Sequence, residues 1–200
     1  MKYMKYFKRT FDLVCTVPGL ILLTPLFLVV SLLIKLDDGG PVFFRQERIG
    51  YNGKPFKMWK FRTMIIDADK KGMQITVAND PRITKVGGFL RKTKIDELPQ
   101  LINVVLGQMS LVGPRPEVVK YVNLYNEDQR QVLKLKPGIT DPASIKFRKE
   151  NELLTTANKA ETIYIEKIMP EKIRINLEYA SRASLLSDFW VIIKTIFNRQ

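Results

Sequence analysis

Residues 13–34 read LVCTVPGLILLTPLFLVVSLLI, 22 consecutive positions without a charged side chain. As a straight helix rising 1.5 Å per residue the stretch covers about 33 Å, enough to cross the roughly 30 Å of hydrocarbon in a bilayer. A core helix of a soluble domain is rarely apolar on every face, so the segment places the chain at a membrane. A secretory signal also starts with positive charge, as Lys2, Lys5, Lys8 and Arg9 do here, but no small-x-small cleavage site follows this run. Pro18-Gly19 and Thr24-Pro25 interrupt it, and Pro25 lacks the N–H that would reach the carbonyl of Ile21. Two courses stay open: a kinked single pass, since proline occurs in spanning helices, or a re-entrant helix broken at Thr24 and Pro25, with both ends on one side. Basic residues precede the run and Lys35 closes it, which sets the N-terminal end in the cytoplasm and leaves the far end undecided. The basic and aromatic residues of MKYMKYFKRTF suit either a helix at headgroup level or a solvated terminus.

With 46% apolar residues over 200 positions, one domain core can be buried behind this anchor. The expected division is a membrane-associated segment, residues 1–36, and one domain, residues 37–200. The excess of 33 basic over 20 acidic residues, +13, calls for a polyanionic partner: nucleic acid, anionic lipid or a nucleotide diphosphate. A single cysteine, Cys15, and no histidine exclude an intramolecular disulfide and a Cys/His metal site. Acid–base or nucleophilic work then falls to carboxylates, Lys, Tyr, Ser or Thr, and any metal would be an oxygen-liking ion such as magnesium.

The run PVFFRQERIGYNGKPFKMWKFRTM reads as two short strands about the turn signal Tyr51-Asn52-Gly53, a hairpin. In TKIDELPQLINVVLGQM, Leu98, Leu101, Ile102, Val105 and Leu106 make one apolar helix face that starts near Asp96 and stops at Gly107. Helical patterns follow over 117–135, 152–168 and 171–179, with Pro137-Gly138 and Pro170 as breakers. Near the C-terminus LLSDFWVIIKTIF is too short to span; it suits a helix in the interface with Trp190 at headgroup depth, and equally a packed core helix. The class is α+β, dominated by helices.

Asp96 and Glu97 are adjacent carboxylates at a predicted helix start, where capping alone is the usual explanation. Their surroundings add weight: Arg91 before them, Arg115 between Pro114 and Pro116 after them, and Lys60 and Arg62 ending the second strand. Proline on both sides restricts the backbone of Arg115 and presents its guanidinium in a narrow range of poses, suited to phosphate. Arg115 could also be a surface turn, and Lys60 and Arg62 edge-strand charges.

These residues carry a resemblance. Phe43, Gln46, Arg48 and Gly50; Lys60-Phe61-Arg62-Thr63-Met64; Leu90-Arg91 followed by Asp96-Glu97-Leu98-Pro99-Gln100-Leu101; Met109-Ser110-Leu111-Val112-Gly113-Pro114-Arg115-Pro116; and Pro137-Gly138-Ile139-Thr140 stand in the order of the small monotopic phosphoglycosyl transferases of the bacterial sugar transferase family. The chain resembles that family over most of 8–140. Family members place a broken re-entrant helix at the N-terminus, usually with Ser-Pro at the break; Thr24-Pro25 occupies that place here. After Pro-Gly-Ile-Thr the family commonly continues Gly-aromatic-Ala-Gln-Val-x-Gly-Arg, whereas this chain reads DPASIKFR and keeps only Ala143 and Arg148.

The resemblance implies transfer of a sugar 1-phosphate from a UDP-sugar to a polyprenyl (undecaprenyl) phosphate, giving a polyprenyl diphosphate sugar and UMP. It implies a location at the bacterial inner membrane, with the catalytic domain on the cytoplasmic face among interfacial helices. In that reading Asp96 is a covalent nucleophile, Mg2+ is the cofactor held by Asp96 and Glu97, and Lys60, Arg62, Arg91, Arg115 and Arg148 bind substrate phosphate. Glu97 could instead position an arginine or act as acid–base. Nucleic acid is not expected as a partner, since the basic residues do not concentrate on one helix or strand. A non-catalytic adaptor for anionic lipid would give no reason for Asp96-Glu97. A homo-oligomer is open, and the sequence names neither the sugar nor the pathway.

Overall fold

The computed structural model describes residues 7–68, 80–148 and 161–197. A 31-residue helix, α1 (Lys8–Asp38), leads into an antiparallel hairpin of β1 (Phe43–Ile49) and β2 (Pro55–Phe61). The turn is made where the sequence signals it, with Asn52 and Gly53 both in the left-handed region (φ 54° and 73°). α2 (Lys85–Thr93) follows, capped by the Thr84 hydroxyl, which accepts from Gly87 N–H at 3.0 Å. Then come a single 3-10 turn (Ile95–Glu97) and α3 (Gln100–Val105). The expected helix start near Asp96 is thus a separate turn, because Lys94 takes up a left-handed conformation (φ 61°) that ends α2 and re-aims the chain.

β3 (Ser110–Val112) and β4 (Gly138–Thr140) form a parallel pair that the sequence pattern does not reveal. They lie so close that a Cβ on Gly138 would sit 2.1 Å from the Gly113 nitrogen, so both motif glycines are demanded by backbone contact. Between them, the single helix expected over 117–135 is instead two one-turn helices, α4 (Val119–Val122) and α5 (Glu127–Arg130), and a 3-10 turn. The cause is a capping box at Asn126 and Gln129, which starts a new helix inside the apolar pattern.

α6 (Pro142–Lys146) occupies the divergent loop: Asp141 stands where the family has glycine, accepts from Ser144 N–H at 2.9 Å, and Pro142 fills the first turn. Most of the helix expected over 152–168 lies outside the described residues. Pro170 does not break the chain's helix as expected. The preceding turn widens to π geometry (Tyr164–Ile168), Met169 N–H reaching back to the Tyr164 carbonyl, and α7 (Met169–Ser181) runs on. α8 (Leu185–Phe197) completes the described chain.

α1 is the one helix among the described residues long and apolar enough to cross a membrane, and little of it is buried. Its helical run continues through Pro18 and Pro25, with the Thr24 hydroxyl donating to the Leu20 carbonyl at 3.0 Å, so the break expected at Thr24 and Pro25 does not end the helix. Both of its ends pack on the domain. Near its start Lys8 pairs with the buried Asp188 of α8, Asp12 accepts from Ser110 Oγ and Leu111 N–H at 3.0 Å, and Arg9 donates to the Val104 and Val105 carbonyls at the end of α3. Near its finish Val30 and Ile34 bury against Phe61 and Leu90, and Phe27 meets Phe61 edge-on at 5.1 Å. Between these contacts Val17, Ile21, Leu22 and Leu28 are exposed. α8 likewise buries Asp188 and Val191 and exposes Leu185, Leu186, Phe189 and Trp190, so it packs on the domain through one face.

Candidate active site

Asp96 sits in the 3-10 turn at 8% exposure. Its Oδ1 is buried without a hydrogen-bond partner, and so is the Nε2 donor of Gln100 four residues on. Glu97 is instead fully engaged. Lys60, at the end of β2, donates to Glu97 Oε1 at 3.0 Å, and Arg115 grips both Glu97 oxygens in a fork, one contact at 3.2 Å. The hairpin therefore supplies Lys60, the turn after α2 supplies the two carboxylates, and the pairing of β3 with β4 fixes the Gly113-Pro114-Arg115-Pro116 corner. Asn103 of α3 locks the hairpin to this frame: its side chain accepts from Trp59 N–H and donates to the Lys57 carbonyl, both at 2.9 Å. Arg91 reaches the same region and donates to the Thr63 hydroxyl at 2.8 Å.

The two carboxyls respond oppositely to this setting. Burial pushes the Asp96 pKa up, and the charge of Glu97 adds to the rise, against Lys60, Lys94 and Arg91. Burial works against ionising Glu97 too, yet the charges of Arg115 and Lys60 outweigh it and hold Glu97 well below the usual carboxylate range. Glu97 in turn raises the pKa of Arg115. Burial lowers that of Lys60, with Glu97 opposing. Adjacent carboxyls driven apart in this way are a mark of sites that divide roles between them.

Glu97, Lys94 and Arg115 border a cavity of about 590 Å³, whose walls also include Arg48, Thr140 and Arg148. Arg148 is thus on the cavity, on its exposed rim. Arg62 is not brought to the cluster. It is buried at the foot of α1, paired with Asp38 and donating to the carbonyls of Pro41 at 2.6 Å and Met64 at 3.1 Å. Lys94 and Arg48 are site residues that the sequence reading did not select. Arg48 stood in a quoted motif, donating here to Gln46 and to Pro116 next to Arg115, whereas nothing local marks Lys94 except its place two residues before Asp96.

No group of three acidic or thiol side chains suited to a metal stands together among the described residues. Asp96 offers one free buried oxygen, while the Glu97 oxygens are held by cations. Of the two carboxyls expected to hold magnesium, Asp96 alone has a free oxygen, and it would hold the ion together with water and substrate phosphate oxygens.

The family model described as bacterial sugar transferase matches residues 3–199. The chain is 41% identical over 197 residues to the UDP-glucose:undecaprenyl-phosphate glucose-1-phosphate transferase of Escherichia coli (strain K12), covering 95% of this chain and 39% of that protein. It is 36% identical over 204 residues to the exopolysaccharide production protein ExoY of Sinorhizobium fredii (strain NBRC 101917 / NGR234), covering 94% of this chain and 83% of that one. It is 36% identical over 213 residues to the galactosyl transferase CpsE of Streptococcus agalactiae serotype III (strain NEM316), covering 98% and 43%. The chain therefore spans about two fifths of the length of the glucose-1-phosphate transferase. With the match running nearly end to end and the motif residues gathered about Asp96, the chain belongs to the bacterial sugar transferase family.

Proposed function

We propose that this chain transfers a sugar 1-phosphate from a UDP-sugar to polyprenyl phosphate through an aspartyl-phosphosugar intermediate. The observation that carries this reading is the buried, unpartnered Oδ1 of Asp96 beside a fixed array of cations. An Asp96 oxygen attacks the β-phosphorus, the bond to the bridging oxygen breaks, and UMP leaves with the electron pair. A phosphate oxygen of the lipid then attacks the same phosphorus, releases the Asp96 carboxylate, and forms the polyprenyl diphosphate sugar. A carboxylate meeting a phosphate charge at 4 Å is repelled by roughly 4 kcal/mol at an effective dielectric of 20. Lys60, Lys94, Arg91 and Arg115 lower that barrier, and Glu97 holds Lys60 and Arg115 in place for it. A bound magnesium ion would neutralise phosphate charge alongside Asp96. Relatives named for undecaprenyl-phosphate glucose 1-phosphate transfer and for exopolysaccharide production support the class of reaction.

Membrane placement follows the same logic. A spanning helix would put its ends on opposite sides of the hydrocarbon, whereas both ends of α1 pack on one domain. Although the helix runs on through Pro25, this supports a course with both ends on the cytoplasmic face and Asp96 near the headgroups. Cysteines at Thr10 and Leu36, in a Cys15→Ser background, should both react from the cytoplasmic side; reaction from opposite sides sinks the re-entrant course. For the chemistry, UDP-sugar without lipid acceptor should release about one UMP per enzyme in a burst that EDTA suppresses. A strict need for acceptor would point to direct displacement, and full activity in chelator would remove magnesium.

A further inference from the structure

We infer that the Asn176 carboxamide reads the uracil ring of the UDP-sugar, an assignment that rests on the transferase reading above. Asn176 lies on α7 at 6% exposure and lines the cavity, and its carboxamide makes no hydrogen bond among the described residues. Its carboxamide opens onto the cavity, where a ligand that offers a donor and an acceptor can pair with it. None of the ion-cluster residues comes from this part of the chain. The wall here is built where α6, α7 and α8 meet, and it carries Ile145, Ile173, Ile192 and Ile196, with Lys172 one turn before Asn176 on α7. Among the other neutral groups of the cavity, the hydroxyls of Thr140 and Thr195 bond each other at 2.6 Å, and Ser144 bonds Asp141.

One carboxamide between isoleucines matches a flat ring better than a polyol. A sugar presents hydroxyls around its rim and leaves several unpaired against such a wall, which costs binding. A polyprenyl tail has nothing to offer the amide. Uracil exposes an N–H donor beside a carbonyl acceptor, the complement of the Asn176 Oδ1 and Nδ2, so two parallel hydrogen bonds form while the ring faces bury against apolar side chains. The charged border at Lys94, Glu97 and Arg115 is left to the diphosphate.

The test uses the full chain in lipid nanodiscs. For Asn176→Ala, the KM for UDP-sugar and the inhibition constant of UMP should rise together by about tenfold, a loss typical of a hydrogen-bonded contact. The KM for polyprenyl phosphate should stay unchanged. Asn176→Asp should be no better than alanine, since a carboxylate repels the uracil carbonyl, and Asn176→Ser serves if the alanine variant melts early. A rise in KM for UDP-sugar with UMP inhibition unmoved would assign Asn176 to the sugar and overturn the inference. So would a change confined to polyprenyl phosphate, no change at all, or recovery by Asn176→Asp. UMP binding measured by calorimetry needs no turnover, so it decides the uracil contact even if wild-type chain releases no UMP from any UDP-sugar, the result that would sink the transferase reading.

Discussion

The cluster around Asp96 and the one where Lys8 meets Asp188 are built from the same kinds of side chain at similar burial, yet they leave different things unpaired. Where α1 joins α8, Asp188 takes Lys8 and the Tyr179 hydroxyl, and Asp12 takes Ser110 and Leu111; what is left over is a neutral hydroxyl, that of Thr16. In the other cluster Glu97 absorbs two cations and the Oδ1 of Asp96 is left over. A buried charge group that is fully met fastens parts together; one left partly unmet is held ready for something that arrives.

Asp96→Asn presses hardest on this contrast. It should cut UMP release by at least about a thousandfold, the scale of losing a covalent nucleophile. Because burial raises the folded pKa of Asp96, its ionisation disfavours the folded state once pH exceeds the unfolded value, so the neutral amide should melt no lower at pH 7. A melting temperature that falls with activity would make Asp96 structural. Asp188→Ala should do the reverse: leaving Lys8 without its carboxylate should cost about 3–5 kcal/mol in denaturant unfolding, with turnover per folded molecule retained. Glu97→Gln should lower kcat by about ten- to a hundredfold as Lys60 and Arg115 lose their tether. It should also move the acid limb of the pH–rate profile to lower pH, because the neighbouring Glu97 charge helps to raise the pKa of Asp96. Arg174→Ala, which removes only exposed pairs with Glu171 and Glu178, should leave turnover and melting at wild-type values.

The contrast also explains what the sequence could tell. The hairpin was legible because Tyr51-Asn52-Gly53 is a local signal, and Asp96, Glu97 and Arg115 because their motif surroundings are dense. Arg62 looked like a phosphate ligand from its neighbours on β2, but its partner Asp38 lies across a turn from another element. The 117–135 pattern had one apolar period, and the capping residues inside it decided the breaks. β3 and β4 are too short for any periodic signal, and Asn176 has no motif at all; its meaning comes from three helices that meet only in the fold.

Lys8 and Asp188 are 180 residues apart. At roughly 5–20 residues per second of synthesis, the ammonium near the start of α1 emerges about 10–40 seconds before the carboxylate of Asp188. During that interval α1 can enter the bilayer while Lys8 stays in water, so the ribosome delivers membrane attachment first and closure of the domain afterwards. A nascent chain halted before α8 would carry Lys8 without the Asp188 carboxylate, a difference in solvent access by which a protease could tell an unfinished molecule from a complete one.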